Sequence, residues 1–423
     1  MQKRSWYPLD NAANIYPVIA NKGYTSMFRF TAVMKQAVDR EALQRALDRM
    51  QPRFPGFFVR VRRGIFWYFL EQLHKRALVE EDTLYPCPPL IRNELPFRVK
   101  VHNDRISCEI AHVICDGGAG LTFFKTLLSE YARELGATVL PECGVLPLDE
   151  PPHPEELEDG FSRFSRMGAR PTRKESQAYH PTGTPLINGV RYITTGTLSV
   201  NAALELARRY HVSLTEYLTA TLIHVLYSMQ LAEHSRRPRP VKVSVPVNLR
   251  KYYPTRTLRN FSQYLNPGID PNLGDFSFEE ILEQVHHYFR YMFTEKNLNA
   301  RISKNVGDER NLALRVVPLF LKKMSIRLVY EMTGEKLFSS VISNIGSVVV
   351  PEGLEPYIDH FLFVLCTARH NAVECGVASF GDTLCISFTR TVAEPHVERT
   401  FFRALVRQGL HVLVETNHPQ KGA

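Results

Sequence analysis

The sequence contains little cysteine, and its cysteines are not spaced for metal binding or for a disulfide framework. Seven cysteines are spread over 423 residues without a CxxC pair. A secreted disulfide scaffold or a structural zinc site needs cysteines or histidines at short, regular spacings. We therefore expect reduced, mostly buried thiols and no metal site. Cys115 is one further candidate nucleophile, but nothing nearby in the sequence favours its thiolate.

Long apolar runs are missing as well. No stretch approaches the ~18–20 residues that a membrane-spanning helix needs. The first residues, MQKRSWYPLDNAANIYP, lack the apolar core of a secretory signal. With 44% hydrophobic and 22% charged residues, the composition is typical of a soluble globular protein. We expect no membrane span and, by default, a cytoplasmic location.

Acidic residues are fewer than basic ones, 43 against 52, so the formal net charge is +9. Such an excess favours anionic partners. Nucleic acid is not expected, because the basic stretches carry no interleaved aromatic residues and no zinc-finger or RNA-recognition motif is present. A phosphate-bearing small molecule and an acidic carrier protein both fit the charge. A solvated basic surface without a specific role fits it too.

The chain is long enough for two domains, and its patterns predict an α+β or mixed α/β fold. Strand-like and helix-like segments alternate on both sides of residues 138–185, a stretch rich in proline and acidic residues. We expect this stretch to be an exposed connection. The predicted division is an N-terminal lobe over 1–180, which includes most of the connection, and a C-terminal lobe over 186–423.

One short stretch, AHVICDGGAG (111–120), carries the strongest chemical signal. His112 is the only histidine that has an aspartate four residues later, at Asp116, and Gly117 and Gly118 follow directly. The stretch ends a predicted strand and leads into a helix, a place where side chains project into clefts. Two interpretations fit the pattern. His112 is either a working base or an ordinary histidine that caps a strand end.

The stretch HVICDG resembles the HxxxDG signature of the acyltransferase superfamily that includes chloramphenicol acetyltransferase, alcohol acetyltransferases and condensation domains of nonribosomal peptide synthetases. YPLDNAANIYP (7–17), VPVNLR (245–250) and SNIG (343–346) resemble further segments of the microbial alcohol-acetyltransferase-like and condensation-like members. Ala111 departs from condensation domains, which usually have two consecutive histidines. The DFGWG motif of plant members is absent, and SFGDT (379–383) is interpreted as a hairpin turn.

The resemblance implies two chloramphenicol-acetyltransferase-like lobes, each a mixed sheet with helices, and a tunnel between them. It also implies transfer of an acyl group from a thioester to a hydroxyl or amine acceptor, with His112 as general base. The donor would be acyl-coenzyme A or an acidic acyl-carrier protein with a phosphopantetheine arm. No permanently bound cofactor is implied. The alternative is a non-catalytic module that binds an acyl or thioester ligand or a carrier protein.

Further site residues follow from the same resemblance. Asp116 is expected to turn away from the chemistry and to pair with Arg250, which is otherwise an exposed charge at a strand end. Gly117 would allow a tight turn and a close approach of substrate. Ser343 and Asn344 would donate hydrogen bonds to the developing oxyanion or position the donor, unless SNIG is a plain strand end.

Overall fold

The computed structural model describes residues 6–20, 25–90, 93–166, 175–187, 189–234, 236–310, 317–366 and 371–418. The strands are β1 (Trp6–Pro8), β2 (Met27–Met34), β3 (Val59–Arg63), β4 (Tyr68–Gln72), β5 (Val79–Glu81), β6 (Phe97–His102), β7 (Arg105–Ala111), β8 (Tyr192–Ser199), β9 (Val241–Asn248), β10 (Ser262–Leu265), β11 (Gly268–Ile269), β12 (Ser340–Ser347), β13 (Ile358–Leu365), β14 (Val373–Phe380), β15 (Thr383–Arg390) and β16 (Leu413–Thr416). The helices are α1 (Tyr16–Ile19), α2 (Arg40–Met50), α3 (Gly117–Glu134), α4 (Gly160–Phe164), α5 (Val200–Arg209), α6 (Leu214–Ala232), α7 (Phe278–Met292), α8 (Glu295–Arg310), α9 (Leu319–Thr333) and α10 (His396–Arg407).

Local signals in the sequence account for where these elements begin and turn. The side chain of Asp39 accepts hydrogen bonds from the first backbone amides of α2, as an N-cap does. Ser213 and Ser277 begin α6 and α7 with complete capping boxes. Asn103 has a left-handed φ of 51° in the turn between β6 and β7. These helix starts and this turn are therefore set by residues that are close together in the sequence.

The first sheet has five strands in the order β13-β2-β7-β6-β5. Every residue of β2 is buried, because α3 covers one face and other elements cover the opposite face. Gly120 lets α3 lie close to this sheet, since a Cβ there would come within 2.8 Å of the Phe28 ring. A small third sheet, in the order β1-β4-β3, stands beside the first.

The second sheet has eight strands, in the order β10-β9-β12-β14-β15-β8-β16 with β11 paired to β9. β12 runs parallel to both of its neighbours, and the other pairings are antiparallel. Helices α5, α6 and α10 pack against this sheet and against each other, and α7 packs on α6 and β11. The mixed α/β architecture with helices on sheets is the predicted one.

One strand from the C-terminal part of the chain belongs to the first sheet, so the sheets do not divide at residue 185. β13 lies late in the sequence, yet it pairs antiparallel with β2 and so completes the first sheet. Its other face meets β14 and β15 of the second sheet. Gly376 on β14 permits this crossing, because a Cβ there would lie 2.2 Å from the Phe363 carbonyl oxygen.

The described part of residues 138–185 has many exposed residues, but some of its side chains are buried. The side chain of Glu156 is buried and forms a two-pronged ion pair with Arg53, at 2.6 and 2.7 Å. Phe161 of α4 is buried against Phe261. The described part of this segment therefore contributes to packing between the lobes.

The expectation of seven reduced thiols is wrong for one pair. Cys87 and Cys366 are joined by a disulfide, with their Cα atoms 6.5 Å apart. They are separated by 279 residues, so no spacing rule links them. Cys108, Cys115, Cys375 and Cys385 are free and buried, and Cys143 is exposed.

Candidate active site between the sheets

His112 directly follows β7, the central strand of the first sheet, which lies between β2 and β6. Its backbone amide donates to the Ser26 carbonyl at 2.8 Å, and its carbonyl accepts from the Asn260 side-chain amide at 2.9 Å. The main chain of His112 is thus fixed by residues from both lobes. The ring is left to face the space between them.

The ring of His112 lies between two aromatic rings. Tyr16 stacks on it with centroids 5.3 Å apart, and Phe28 meets it edge-on at 4.7 Å. Its Nδ1 atom is buried without a hydrogen-bond partner of good geometry in the described part of the chain. Burial lowers the pKa of His112, although the Asp116 charge, the Asn260 side chain and the Cys115 backbone oppose the shift. The neutral imidazole is therefore the favoured form at neutral pH.

Asp116 is the N-cap of α3 and points away from the ring of His112. It accepts hydrogen bonds from the backbone amides of Ala119, at 3.1 Å, and Phe261, at 2.7 Å. The Nη1 atom of Arg250 donates to both of its carboxylate oxygens, at 3.0 and 2.8 Å. Burial alone would raise the pKa of Asp116, but the Arg250 guanidinium and these amides outweigh it and hold the pKa below its usual value. The structure thus brings the two residues together as a buried ion pair.

Gly117 and Gly118 do not have left-handed backbone angles, so a tight turn does not require them. They are the first two residues of α3. A Cβ on Gly118 would lie 3.0 Å from the Asn248 amide and 3.4 Å from the Arg250 guanidinium. A Cβ on Gly117 would meet only the Phe363 ring, at 3.8 Å. The missing side chain of Gly118 therefore leaves space for the Asn248 and Arg250 side chains of the second lobe next to Asp116.

The sequence does not predict a second group of site residues, which is centred on Asp10. Asp10 is buried, and its carboxylate accepts from the Ala13 amide at 2.8 Å and from the Asn260 side chain at 3.0 Å. Arg259 stands 3.4 Å from the same carboxylate. Burial raises the pKa of Asp10 to about 6 against the opposing effects of Arg259 and Asn260. Asp10 lies within the quoted segment YPLDNAANIYP, but no local pattern shows that it contacts residues 250 positions away.

The segment from Thr257 to Phe261 makes hydrogen bonds to Asp10, His112, Asp116 and Arg250. Arg250 donates to the carbonyls of Thr257, at 2.8 Å, and of Arg259. Asn260 links Asp10 to the carbonyl of His112, and the Phe261 amide binds Asp116. This segment joins the second lobe to the His112 turn through hydrogen bonds among buried groups.

A cavity of about 1090 Å³ opens in front of His112. Its wall is shared by both lobes, and its lining is more apolar than polar. Lys251 and Arg290 line it beside Tyr252 and Phe293, whose rings stack at 5.9 Å. Tyr16, which stacks on His112, also lines it.

Ser343 and Asn344 lie on β12 and line the same cavity. The Asn344 side chain donates to the Thr215 hydroxyl at 3.0 Å and accepts from the Gly346 amide at 2.8 Å. Ser343 is half-buried and faces the cavity. Asn344 therefore connects β12 to α6, and Ser343 lies on the cavity wall.

Cys115 does not qualify as a nucleophile. Its side chain is fully buried, and burial raises the pKa of its thiol well above the usual value, with the Asp116 charge acting in the same direction. A thiolate is disfavoured there.

Neither a protein-family model nor a curated protein matches the sequence. Solved structures, in contrast, match over nearly the whole chain. TRI101 of F. sporotrichioides, complexed with coenzyme A and T-2, aligns with a TM-score of 0.64 and 10% identity over 98% of this chain and 100% of its own. Trichothecene 15-O-acetyltransferase of Fusarium sporotrichioides aligns with a TM-score of 0.62 and 8% identity over 95% of this chain and 94% of its own.

A variant of the starter condensation domain of rhizomide synthetase, in complex with C8-CoA, aligns with a TM-score of 0.58 and 12% identity over 95% of both chains. At such identities the likeness shows the fold. The chain has the two-lobed fold of these acetyltransferases and condensation domains, which is the fold that the resemblance predicted. Within the described ranges, no helix combines the length and the apolar character that crossing a bilayer requires.

Proposed function

We propose that this protein is an acyltransferase that moves an acyl group from a thioester to a hydroxyl or amine acceptor, with His112 as the general base. The observation that carries the proposal is the setting of His112. Its ring faces a cavity of about 1090 Å³ between the lobes, and burial favours its neutral form. A neutral imidazole at the wall of a substrate-sized cavity is the group that general-base catalysis needs.

In the proposed reaction the acceptor oxygen or nitrogen attacks the thioester carbonyl carbon. Because Nδ1 is buried, Nε2 of His112 is the ring nitrogen that takes the acceptor's proton. The tetrahedral intermediate then collapses with cleavage of the C–S bond, and the imidazolium returns the proton to the leaving thiolate. The products are an ester or amide and a free thiol. Base assistance of this kind contributes on the order of 10² to 10⁴ in rate.

Asp116 and Arg250 are proposed as positioning residues. Both are engaged with each other and with backbone groups, and Asp116 gives no hydrogen bond to the His112 ring. Their pairing ties the start of α3 to the end of β9, and so sets the separation between His112 and the second lobe.

Ser343 is the better candidate for stabilising the oxyanion. Its hydroxyl is on the cavity wall, whereas the amide of Asn344 already bonds Thr215 and Gly346. A hydroxyl donor aimed at the developing negative charge lowers the barrier more than it stabilises the ground state.

Coenzyme A is the favoured donor carrier. Lys251 and Arg290 place two cations beside the stacked rings of Tyr252 and Phe293, a combination that suits a phosphorylated nucleotide. Two of the similar structures hold coenzyme A or C8-CoA, and one is named for transfer to an oxygen, which supports a hydroxyl acceptor. An acidic acyl-carrier protein also fits the net charge of +9.

A donor panel tests the proposal. Purified protein is mixed with acyl-coenzyme A thioesters of different chain lengths and with acyl-carrier donors, in the presence of alcohols and amines, and free thiol is measured. We expect His112→Ala to lower kcat at least a hundredfold in the reaction that the panel identifies. The control is His287→Ala, since His287 is an exposed residue of α7. Full turnover by a folded His112→Ala protein would contradict the proposed role.

The alternative, a non-catalytic binding module, predicts a different result. Titration calorimetry would then show saturable binding of an acyl thioester, and no donor in the panel would release thiol in excess of the protein concentration. That outcome would contradict the acyltransferase proposal, because binding of a thioester does not require a general base.

A further inference from the structure

We infer that an apolar and basic surface on α9 and the neighbouring β3–β4 turn docks this protein on an anionic lipid bilayer. The α9 surface consists of four side chains of the helix and two of the turn: Phe320, Leu321, Met324, Leu328, Ile65 and Phe66. Docking of this kind goes beyond the proposed acyl transfer, because adsorption to a bilayer requires no reaction at His112.

All six side chains are exposed. The exposed fractions are 57% for Phe320, 72% for Met324 and 63% for Leu328 on the helix, and 76% for Ile65 at the turn. Phe320, Met324 and Leu328 are spaced by four residues, and Leu321 adds a fourth position within a stripe about 100° wide. The opposite side of the helix holds Leu319, which is buried. Apolar residues therefore lie on both the buried and the exposed sides of α9, and the exposed stripe faces away from the protein.

The helix and the turn form one continuous surface. The backbone amide of Leu319 donates to the Ile65 carbonyl at 2.9 Å, and the Lys322 ammonium donates to the Phe66 carbonyl at 3.2 Å. The same ammonium lies 3.5 Å from the centre of the Trp67 ring. These contacts hold the exposed apolar side chains of α9 and those of the β3–β4 turn side by side, so both sets can contact the same bilayer surface.

Basic residues stand beside this surface. Residues 319–330 contain three lysines or arginines and neither an aspartate nor a glutamate. Of the three arginines in residues 59–69, Arg60 and Arg62 pair with Glu71 of β4, which leaves Arg63. Arg63 and Arg327 are exposed beside the apolar residues. An amphipathic face with a basic rim is complementary to the interface of an anionic bilayer. A second copy of this chain would instead bring two basic rims together, which like-charge repulsion disfavours.

The α9 surface lies at one end of the cavity. Tyr330 of α9, and Gly334 and Leu337 just after it, line the cavity, and α1 packs on α9 with Tyr16 against His112. The C-terminal end of α9 is thus part of the cavity wall, and a bilayer docked on α9 would lie next to the candidate active site. If the proposed function holds, the substrate class that this placement favours is a lipid-borne acceptor or acyl chain.

Vesicle flotation tests the docking directly. The full chain is mixed with vesicles of phosphatidylcholine alone or of phosphatidylcholine with phosphatidylglycerol, and the bound fraction is measured at low and high salt. We expect binding to the phosphatidylglycerol vesicles that weakens as salt rises. The double variant Met324→Asp with Leu328→Asp should lower the partition coefficient about a hundredfold or more, the effect of losing two inserted apolar side chains. Arg327→Gln should lower it roughly fivefold.

A matched control separates insertion from a general effect of charge. Leu273→Asp changes a leucine that is 80% exposed in the turn after β11, outside the α9 surface, and should leave binding near the wild-type level. His112→Ala should bind like the wild type, which distinguishes this inference from the proposed chemistry. Urea unfolding checks that the double variant remains folded, as expected for exposed positions.

Three results would overturn the inference. The first is wild-type protein that stays unbound with phosphatidylglycerol vesicles at low salt, and the second is a folded double variant that binds as well as the wild type. The third is a concentration-dependent dimer in sedimentation that the double variant abolishes, because a second copy would then be the occupant of the α9 surface.

Discussion

His112 is held through its main chain, and this leaves its ring able to change protonation state. The amide and carbonyl are bonded to Ser26 and Asn260, whereas the ring is packed between Tyr16 and Phe28. Gaining or losing a ring proton therefore breaks none of the hydrogen bonds that fix the backbone. A base that cycles between two states in every turnover benefits from such an arrangement.

The lowered pKa of His112 predicts how stability changes with pH. In the unfolded chain a histidine titrates near pH ~6.5, and in the folded protein burial moves this titration lower. The stability contributed by the neutral ring is complete above the unfolded pKa and is lost as the pH falls through the folded one. We expect the free energy of unfolding of the wild type to fall more steeply below pH ~6.5 than that of His112→Gln.

Urea denaturation at a series of pH values measures this difference. Asp10 and Asp116 also titrate in the acid range, but they are present in both proteins, so their effects cancel to first order in the comparison. Parallel curves for the two proteins would mean that burial does not shift the pKa of His112.

At the scale of elements, the segment from Thr257 to Phe261 supports the site more than any single helix does. It contains the carbonyls that bind Arg250, the amide that binds Asp116 and the side chain that binds both Asp10 and the His112 carbonyl. It has no regular structure of its own, so its shape depends on these hydrogen bonds.

Asn260→Ala should therefore be costly. The substitution leaves the Asp10 carboxylate and the His112 carbonyl short of a donor in a buried place. We expect the free energy of unfolding to drop by about 3 kcal/mol, the upper end for a hydrogen bond to a buried charged group. Chemical denaturation measures the drop. The exposed Asn272, whose side chain donates to the Asp270 carboxylate and to the Pro238 carbonyl, gives the control Asn272→Ala, with an expected loss below about 1 kcal/mol.

Local elements were predictable from the sequence because their causes are local. The caps at Asp39 and Ser213 and the turn at Asn103 are set by neighbouring residues. The motif around His112 was visible because its residues are adjacent, and the position of Arg250 came from a resemblance to known proteins. Asp10 and Asn260 were missed, since nothing within either segment reveals a partner 250 residues away. The disulfide between Cys87 and Cys366 was missed for the same reason.

At the scale of the whole molecule, the ion pair of Asp116 and Arg250 joins the two lobes at the site. Arg250→Lys preserves the charge but not the geometry, because a lysine cannot donate to Asp116, Thr257 and Arg259 together. We expect the free energy of unfolding to fall by about 3 kcal/mol, the scale for disrupting a buried pair. Denaturant titration of the two proteins provides the value.

The comparison for this variant is Arg209→Lys. Arg209 forms an exposed i,i+4 pair with Glu205 at 3.2 Å. Exposed pairs of this kind contribute about 0.5 kcal/mol or less, so this substitution should be nearly neutral. Equal losses in the two variants would show that Arg250 is not a link between the lobes.

The position of β13 also constrains how the molecule is made. The first sheet is not complete until residue 365 has been synthesised, because β13 covers the β2 edge of that sheet. Until then the ribosome holds a nascent chain whose open strand edge is available for wrong pairings. The cavity with His112 on its wall therefore cannot be complete before β13 has been synthesised and has paired with β2.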